Sequence, residues 1–287
     1  MNLEVHIADA MAAAGIPMHR PEPLVADGRI HRYRVVGDKP GGKAGWSWTG
    51  WYVIHNDGGR PCAIFGSRKW AEGEHRVWTP ERSAPVTPED RRLQQVRLAA
   101  ARAARDAEQA CTHAEAAARA AKLWATARPA SNDHPYLVRK RVNAYGIRVL
   151  GAQLVIPART VDGELATLEF IGPDGSKKFL TGGRKRGCYH AIGRPERAII
   201  VAEGYATACS VHAATGYAVA VAFDAGNLGP VARALRTKFP RLPMVIAADN
   251  DATTPGNPGL TAGRAAARAV GAALAAPIFQ ENICVSD

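Results

Sequence analysis

The last third of the chain alternates apolar runs with helix-like segments, and this alternation limits the fold more than any other feature. Apolar runs occupy residues 198–202, 219–223 and 244–248. Helical patterns follow them at residues 205–215, 228–239 and 261–275. A strand that is buried on both faces appears as a continuous apolar run, and strand–helix alternation is typical of a parallel sheet covered by helices. We therefore predict an α/β fold for this part of the chain.

Acidic residues follow two of these predicted strands. Glu203 comes directly after the first strand, and Asp249 and Asp251 come directly after the third. Ligands of open α/β sheets bind beyond the carboxyl ends of the strands, and residues i and i+2 of an extended stretch point to the same side. Three carboxylates at one edge would raise each other's pKa without a cation, and Mg²⁺ or Mn²⁺ prefers such oxygen ligands. The alternative is that they are ordinary loop residues, since Asp-Asn-Asp is also good turn chemistry.

The rest of the chain divides into zones of different character. We predict a small β-rich module over residues 1–82, a long helical segment over 83–130, a basic α+β part over 131–197 and the parallel-sheet domain over 198–287. The first module combines short β-like runs with most of the tryptophans, which would form either its core or a stacking platform for single-stranded nucleic acid. The helical segment is rich in Ala and Arg, and Thr87 is its predicted N-cap.

The positive charge of the chain indicates an anionic partner. Lys and Arg number 37 and Asp and Glu 26, a net charge of +11, which favours nucleic acid. The alternative is a set of solvated surface charges in a basic proteome. The candidate phosphate-binding residues are Lys177, Lys178, Arg184, Lys185 and Arg186, followed by Arg139, Lys140 and Arg141.

Cysteine usage and hydropathy bear on metal content and location. None of the five cysteines lies in a C-x-x-C pair, so we expect neither a zinc ribbon nor a disulfide framework. The chain has no run of about 18 apolar residues, the length that a membrane span requires, and its first residues lack the pattern of a signal peptide. We therefore expect a cytoplasmic protein with no membrane partner and no zinc.

The acids also carry a family resemblance. Glu203, within Val-Ala-Glu-Gly-Tyr, and the Asp249-Asn250-Asp251 triplet resemble the Toprim domain of bacterial, phage and plasmid primases, which has a Glu after one strand and Asp-x-Asp after a later one. Upstream, residues 154–157, 168–171 and 177–180 look like the basic half of a DnaG-type catalytic core. In that core a Pro-Lys-Tyr-Leu-like element supplies a phosphate-binding lysine, and Lys178 is the matching position. The resemblance covers residues 131–276.

Two positions depart from the pattern of that family. DnaG-type primases have an Asp four residues after the motif Glu, where this chain has Thr207. The Asp-x-Asp triplet is also followed by an extra loop over residues 253–259. The departures put one acidic position of the family pattern in doubt.

The resemblance implies primer synthesis, the templated transfer of a nucleotide from a nucleoside triphosphate to a 3′-hydroxyl on single-stranded DNA. Glu203, Asp249 and Asp251 would hold Mg²⁺ or Mn²⁺, and Lys178 would complete the catalytic set. The implied nucleotide- and nucleic-acid-binding residues are Lys177, Lys178, Arg184, Lys185, Arg186, Arg139 and Arg141. A replicative helicase in trans is a further candidate partner, because the chain has no Walker A motif. The alternatives are a Toprim nuclease that cleaves phosphodiesters and a non-catalytic subunit that binds single-stranded DNA.

Overall fold

A computed structural model describes residues 3–38, 40–41, 45–46, 48–56, 61–70, 74–80, 88–251 and 254–277. The chain divides into two compact units, Met1–Ala110 and Cys111–Asp287. The boundary between them falls inside one long helix, Pro88–Thr126. Among the described residues, no helix is both long and apolar enough to cross a membrane.

The first unit is a small β module with one packed helix. Its elements are α1 (Leu3–Ala13), β1 (His31–Tyr33), β2 (Pro40–Gly41), β3 (Gly45–Trp46), β4 (Gly50–His55), β5 (Cys62–Ser67), β6 (Arg76–Trp78) and the first part of α2 (Pro88–Thr126). An antiparallel sheet runs in the order β1-β4-β5-β6. Ile7 and Met11 of α1 pack on one face of this sheet, and Ala101 of α2 packs on the other. The predicted short strands are therefore present.

Most of the described tryptophans of this unit contribute to its core. Trp51 is buried, and Trp70 and Trp78 pack against the cluster around α1. Trp48, in contrast, is 53% exposed. The side chain of Trp46 lies outside the described residues, as does the predicted N-cap Thr87. The structure therefore supports the core interpretation for three of the tryptophans.

The second unit begins with the last part of α2 and an antiparallel sheet. The elements are β7 (Arg128–Pro129), α3 (Pro135–Lys140), β8 (Arg148–Leu150), β9 (Gln153–Arg159), β10 (Leu165–Ile171) and β11 (Lys177–Phe179). The strands are ordered β11-β10-β9-β8-β7. Ala120 of α2 packs on the sheet face that carries Leu168 and Phe170. The opposite face, which includes Ile171, joins the core of the following sheet.

The last part of the chain forms the predicted α/β structure. Its elements are β12 (His190–Ile192), β13 (Ile199–Ala202), α4 (Tyr205–Thr215), β14 (Ala218–Val221), α5 (Ala225–Lys238), β15 (Met244–Ala247), α6 (Pro258–Val270) and β16 (Ala273–Ala275). The sheet has the order β12-β14-β13-β15-β16, in which only β12 runs antiparallel to its neighbour. Helix α4 covers one face, and α5 and α6 cover the other. The α/β prediction is confirmed.

Three predicted helix boundaries were wrong, since the helix predicted over residues 261–275 also begins earlier, at Pro258. Helix α5 begins at Ala225 and not at residue 228, because the carboxylate of Asp224 caps it by accepting a hydrogen bond from the backbone N–H of Asn227 at 2.9 Å. The helix predicted over residues 261–275 ends at Val270. Gly271 adopts a left-handed conformation with φ of 60° and stops the helix, and the residues after it pair with β15 as strand β16. Strand pairing thus outweighs the helix propensity of this Ala-rich tract.

Candidate active site

The three acids predicted to act together lie at one edge of the parallel sheet. Strands β13 and β15 are neighbours, and Ala202 pairs with Ala247, so Glu203 and Asp249 follow at the same end. Glu203 is half-buried, and its Oε2 atom is buried without a hydrogen-bond partner. Burial raises the pKa of Glu203, and the negative charges of Asp249, Asp251 and Asp224 raise it further. The carboxylates at this edge are therefore close enough to raise the pKa of Glu203.

Thr207 occupies part of this acidic edge. Its hydroxyl donates to Oδ1 of Asp249 at 3.4 Å. Burial and the charge of Asp251 raise the pKa of Asp249, whereas the Thr207 hydrogen bond and the charge of Lys177 lower it. The residue that departs from the family pattern thus contacts a predicted metal ligand, and it replaces an acid there by a neutral donor.

The extra loop after the acids holds them in place. The backbone N–H of Asp251 donates to Oδ1 of Asn257 at 3.0 Å, and Nδ2 of Asn257 donates to Oδ1 of Asn250 at 2.7 Å. Asn257 also caps α6 through Leu260. A Cβ atom on Gly259 would lie 2.7 Å from the carbonyl oxygen of Asp249. Sequence reasoning missed both Asn257 and Gly259, although Asn-Pro-Gly is a recognisable helix start.

Lys177 and not Lys178 lies beside the acids. Successive residues of a strand point to opposite faces. Lys178 is paired with Phe170, which packs toward α2, whereas Lys177 is paired with Ile171, which belongs to the core shared with the parallel sheet. The Nζ atom of Lys177 lies 3.8 Å from the position that a Cβ on Gly204 would occupy. Of the two lysines in β11, the structure therefore brings Lys177 and not the predicted Lys178 to the acidic edge.

The predicted basic residues around residue 185 lie on a loop, hereafter the basic loop (residues 184–187), near the same sheet edge. Lys185 is half-buried and forms an ion pair with Asp224, which follows β14. Its ammonium also lies 5.5 Å from the ring centroid of Phe179. Arg184 and Arg186 are exposed on the same loop. Because Val221 of β14 pairs with Ala202 of β13, the basic loop lies on the same side of the sheet as the acids.

An open cleft of about 370 Å³ joins the acidic edge to basic side chains. It is lined by Tyr136, Arg139, Lys140, Asp174, Gly175, Lys177, Gly204, Ala206, Thr207 and Asp249. Arg139 also donates to the carbonyl oxygen of Pro173 at 2.9 Å, which fixes its guanidinium at the rim. Arg141 ends α3 outside this lining. Of the three predicted cations of α3 and its end, the structure thus brings Arg139 and Lys140 to the cleft.

Glu169 is a buried acid that sequence reasoning missed. It lies on β10 opposite Phe179 and is 3% exposed. Burial raises its pKa to about 7, against the opposing effect of Lys177 and Lys185. Its burial could not be recognised from the sequence, because a single acid within an otherwise core-like strand gives no sign of which face it lies on.

Comparison with known proteins identifies the acidic sheet. Residues 198–282 match the family described as the Toprim domain. This part of the chain is therefore similar to the Toprim domain. The predicted resemblance is therefore confirmed, and Glu203, Asp249 and Asp251 all lie within the matched Toprim residues.

The similarity to curated relatives extends well beyond the Toprim domain. One Escherichia coli protein named DNA primase TraC is 36% identical over 96% of this chain and 26% of its own length. A second Escherichia coli DNA primase TraC is 34% identical over 95% of this chain and 19% of its own length. The chain thus spans about a quarter or less of the length of the curated relatives it matches.

Solved structures show weaker similarity. The primase fragment of the bacteriophage T7 primase-helicase protein is 14% identical with a TM-score of 0.38, over 54% of this chain and 68% of that one. A DNA primase domain from Pseudomonas aeruginosa is 14% identical with a TM-score of 0.30, over 47% of this chain and 46% of that one.

Proposed function

We propose that this chain is a metal-dependent nucleotidyltransferase of the DNA primase type, which synthesises short primers on single-stranded DNA from nucleoside triphosphates. The observation that carries the proposal is the placement of Glu203, Asp249 and Asp251 just after the neighbouring strands β13 and β15, at one end of the sheet, with an unpartnered buried oxygen on Glu203. The similarity to the DNA primases TraC over nearly the whole chain supports the same reaction.

The donor set of the edge suits a hard divalent cation. Mg²⁺ and Mn²⁺ prefer carboxylate oxygens, and Glu203, Asp249 and Asp251 are the residues that would hold one. Within the described part of the chain, no three acidic, histidine or cysteine side chains are already gathered as a metal-binding group, so these carboxylates would have to draw together. When bound, the ion supplies positive charge against the charge that develops on the transferred phosphoryl group.

The cations around the edge have separate tasks in this proposal. Lys177 and Arg139 line the cleft that leads to Asp249, and they bind the triphosphate there. The exposed Arg184 and Arg186 bind triphosphate or template phosphates. Thr207 orients Asp249 through its hydroxyl. A replicative helicase in trans and a cytoplasmic location belong to the same proposal.

The test is a primer-synthesis assay with single-stranded DNA, labelled ribonucleotides, and Mg²⁺ or Mn²⁺. We expect short labelled products from the native chain and none from the double variant Asp249→Ala/Asp251→Ala. The matched control is Asp162→Ala/Glu164→Ala, which removes two exposed acids from the β9–β10 turn and should leave the products unchanged. Shortened DNA would indicate the nuclease alternative, and bound but unaltered DNA would indicate the binding-subunit alternative. Products that persist in the double variant would refute the proposed role of the acids.

A further inference from the structure

Asn227 makes an unusual number of hydrogen bonds for a single side chain. It lies in the first turn of α5 and is 3% exposed. Its Nδ2 group donates to the carbonyl oxygens of Ala222 at 2.8 Å, Cys188 at 3.0 Å and Lys185 at 3.2 Å. Its Oδ1 atom accepts from the backbone N–H of Gly187 at 2.8 Å. One buried amide therefore connects the turn after β14 to Lys185 and Gly187 of the basic loop and to Cys188, which follows it.

The turn that carries Asn227 has a constrained backbone. Phe223 has φ of 74°, a value that is uncommon for residues other than glycine. Its ring packs edge-on against Phe179 at 5.2 Å between centroids. The following residue, Asp224, caps α5 and pairs with Lys185. The strained residue thus turns the chain so that Asp224 and Asn227 both face the basic loop.

The charges of the basic loop depend on this anchoring. Arg184 and Arg186 are exposed, so the loop is held by the Lys185–Asp224 ion pair and by the backbone hydrogen bonds that Asn227 makes. A loop that is ordered before binding loses less conformational entropy when it binds an anion. Asn227 supplies hydrogen bonds to residues 185 and 187 of this loop and to residue 188, which follows it.

We infer that Asn227 is a positioning residue, which fixes the basic loop so that Arg184, Lys185 and Arg186 form a preorganised site for a polyphosphate. Asn227 itself touches no ligand, because its polar atoms are engaged with backbone groups. The identity of the ligand as the triphosphate of an incoming nucleotide rests on the proposed function. The positioning role of Asn227 does not rest on the proposed function, because an ordered basic loop would bind any polyphosphate with the shape of a triphosphate.

Calorimetric titration with inorganic tripolyphosphate in metal-free buffer tests the inference. Asn227→Ala should weaken binding of tripolyphosphate by about tenfold. A loop without its anchor would misplace its cations, and losing one charge-assisted contact to the anion has an effect of this size. In a background that already lacks the three loop cations, Arg184→Ala/Lys185→Ala/Arg186→Ala, the same substitution should have little further effect, because interacting positions are non-additive. Binding by Asn227→Ala at the native affinity, full additivity, or no binding by the native chain would each overturn the inference.

The matched control is Asn132→Ala, which also removes an amide that accepts a backbone N–H, that of Ala144 at 2.7 Å, outside the cleft lining. It should keep the native affinity for tripolyphosphate. A second measurement on the native chain covers the case in which Asn227→Ala does not fold. The Gly187 amide should exchange with deuterium at least tenfold more slowly than the Arg184 amide. Equal exchange rates would refute the anchoring.

The outcomes separate this inference from the primase proposal. A native chain that makes no primers, but whose tripolyphosphate binding is lost in Asn227→Ala, would keep the positioning role and reject the proposed reaction. If the native chain makes primers and the Asn227→Ala variant binds tripolyphosphate normally, the proposed reaction is kept and the positioning role is rejected. In the primer assay we expect Asn227→Ala to raise KM for nucleotide more than it lowers kcat.

Discussion

Replacing Gly259 by alanine should displace the acids of the Toprim edge while leaving the fold intact. Gly259 is the second residue of α6, and an added Cβ would lie 2.7 Å from the carbonyl oxygen of Asp249 and 3.0 Å from Oδ2 of Asp251. Carbon–oxygen contacts of this kind are normally about 3.3 Å or longer. The acidic turn and the start of α6 would therefore have to separate by about 0.6 Å.

This displacement should reduce activity more than stability. Overpacking costs about 1–3 kcal/mol, and the greater helix preference of alanine offsets up to about 1 kcal/mol of that. The free energy of unfolding should thus fall by about 1–2 kcal/mol, which is about 2–8 °C in Tm for a unit of this size. Because a misplacement of about 1 Å near the chemistry reduces rates by about 100-fold, we expect a decrease of about tenfold in primer synthesis.

Primer synthesis and Mg²⁺-dependent thermal stabilisation are the two assays for Gly259→Ala. The matched control is Gly229→Ala in α5, where the nearest atoms to an added Cβ belong to the Arg233 guanidinium, at 3.5 Å and beyond. That variant should be as active as the native chain, and its free energy of unfolding should change by less than about 1 kcal/mol, because the clash of a Cβ with the following Pro230 opposes the helix preference of alanine. If Gly259→Ala keeps the native activity and the native stabilisation by Mg²⁺, the close approach of Gly259 to the carbonyl oxygen of Asp249 does not position the acids.

Three further predictions follow from the same edge. Lys177→Ala should reduce primer synthesis at least tenfold more than Lys178→Ala, as measured by initial rates, and the opposite order would restore the sequence-based choice. The pKa of Glu169 is raised to about 7 from 4.5, so the folded state binds a proton that the unfolded state has lost, and stability should fall as the pH rises from about 4.5 to 7. Glu169→Gln should remove this slope and gain about 3 kcal/mol at pH 8, as measured by urea denaturation; an unchanged slope would contradict the burial argument. Glu203→Gln should raise the Tm of the metal-free chain, because it removes a charge that Asp249 and Asp251 repel, and it should reduce the further rise on adding Mg²⁺. A lower metal-free Tm would contradict that account.

The parts of the fold that depend on local pattern could be predicted from the sequence. Strands β13, β14 and β15 are buried on both faces, so their apolar runs identify them directly. The acids follow from the same pattern, because the end of a buried parallel strand is where polar residues first appear. Strand β16 could not be predicted, because its sequence has the composition of a helix. It is a strand only because it pairs with β15, which lies far from it in the sequence.

The positions of the candidate site residues depend on contacts that the sequence does not show. The family pattern indicates a lysine in β11, but only the packing of that strand decides whether Lys177 or Lys178 faces the acids. Asn227 lies about 40 residues from its partners in the basic loop, so no local pattern indicates that they meet. Gly259 matters because of one backbone oxygen in another loop. Contacts between segments that are distant in the sequence thus determine which residues face the acids and the basic loop, and the residue types alone do not.

Strand β12 has a consequence for how the second unit of this chain can be divided or recombined. It precedes the residues of the Toprim family match, yet it pairs with β14 and closes that side of the sheet. A fragment cut at residue 198 would expose the backbone N–H and C=O groups of β14, and such bare edges promote pairing between molecules and aggregation. The family boundary is therefore not a folding boundary. A transplanted or separately expressed Toprim domain from this chain has to begin before His190, and any chimera that exchanges the acidic sheet has to exchange the strand that follows the basic loop with it.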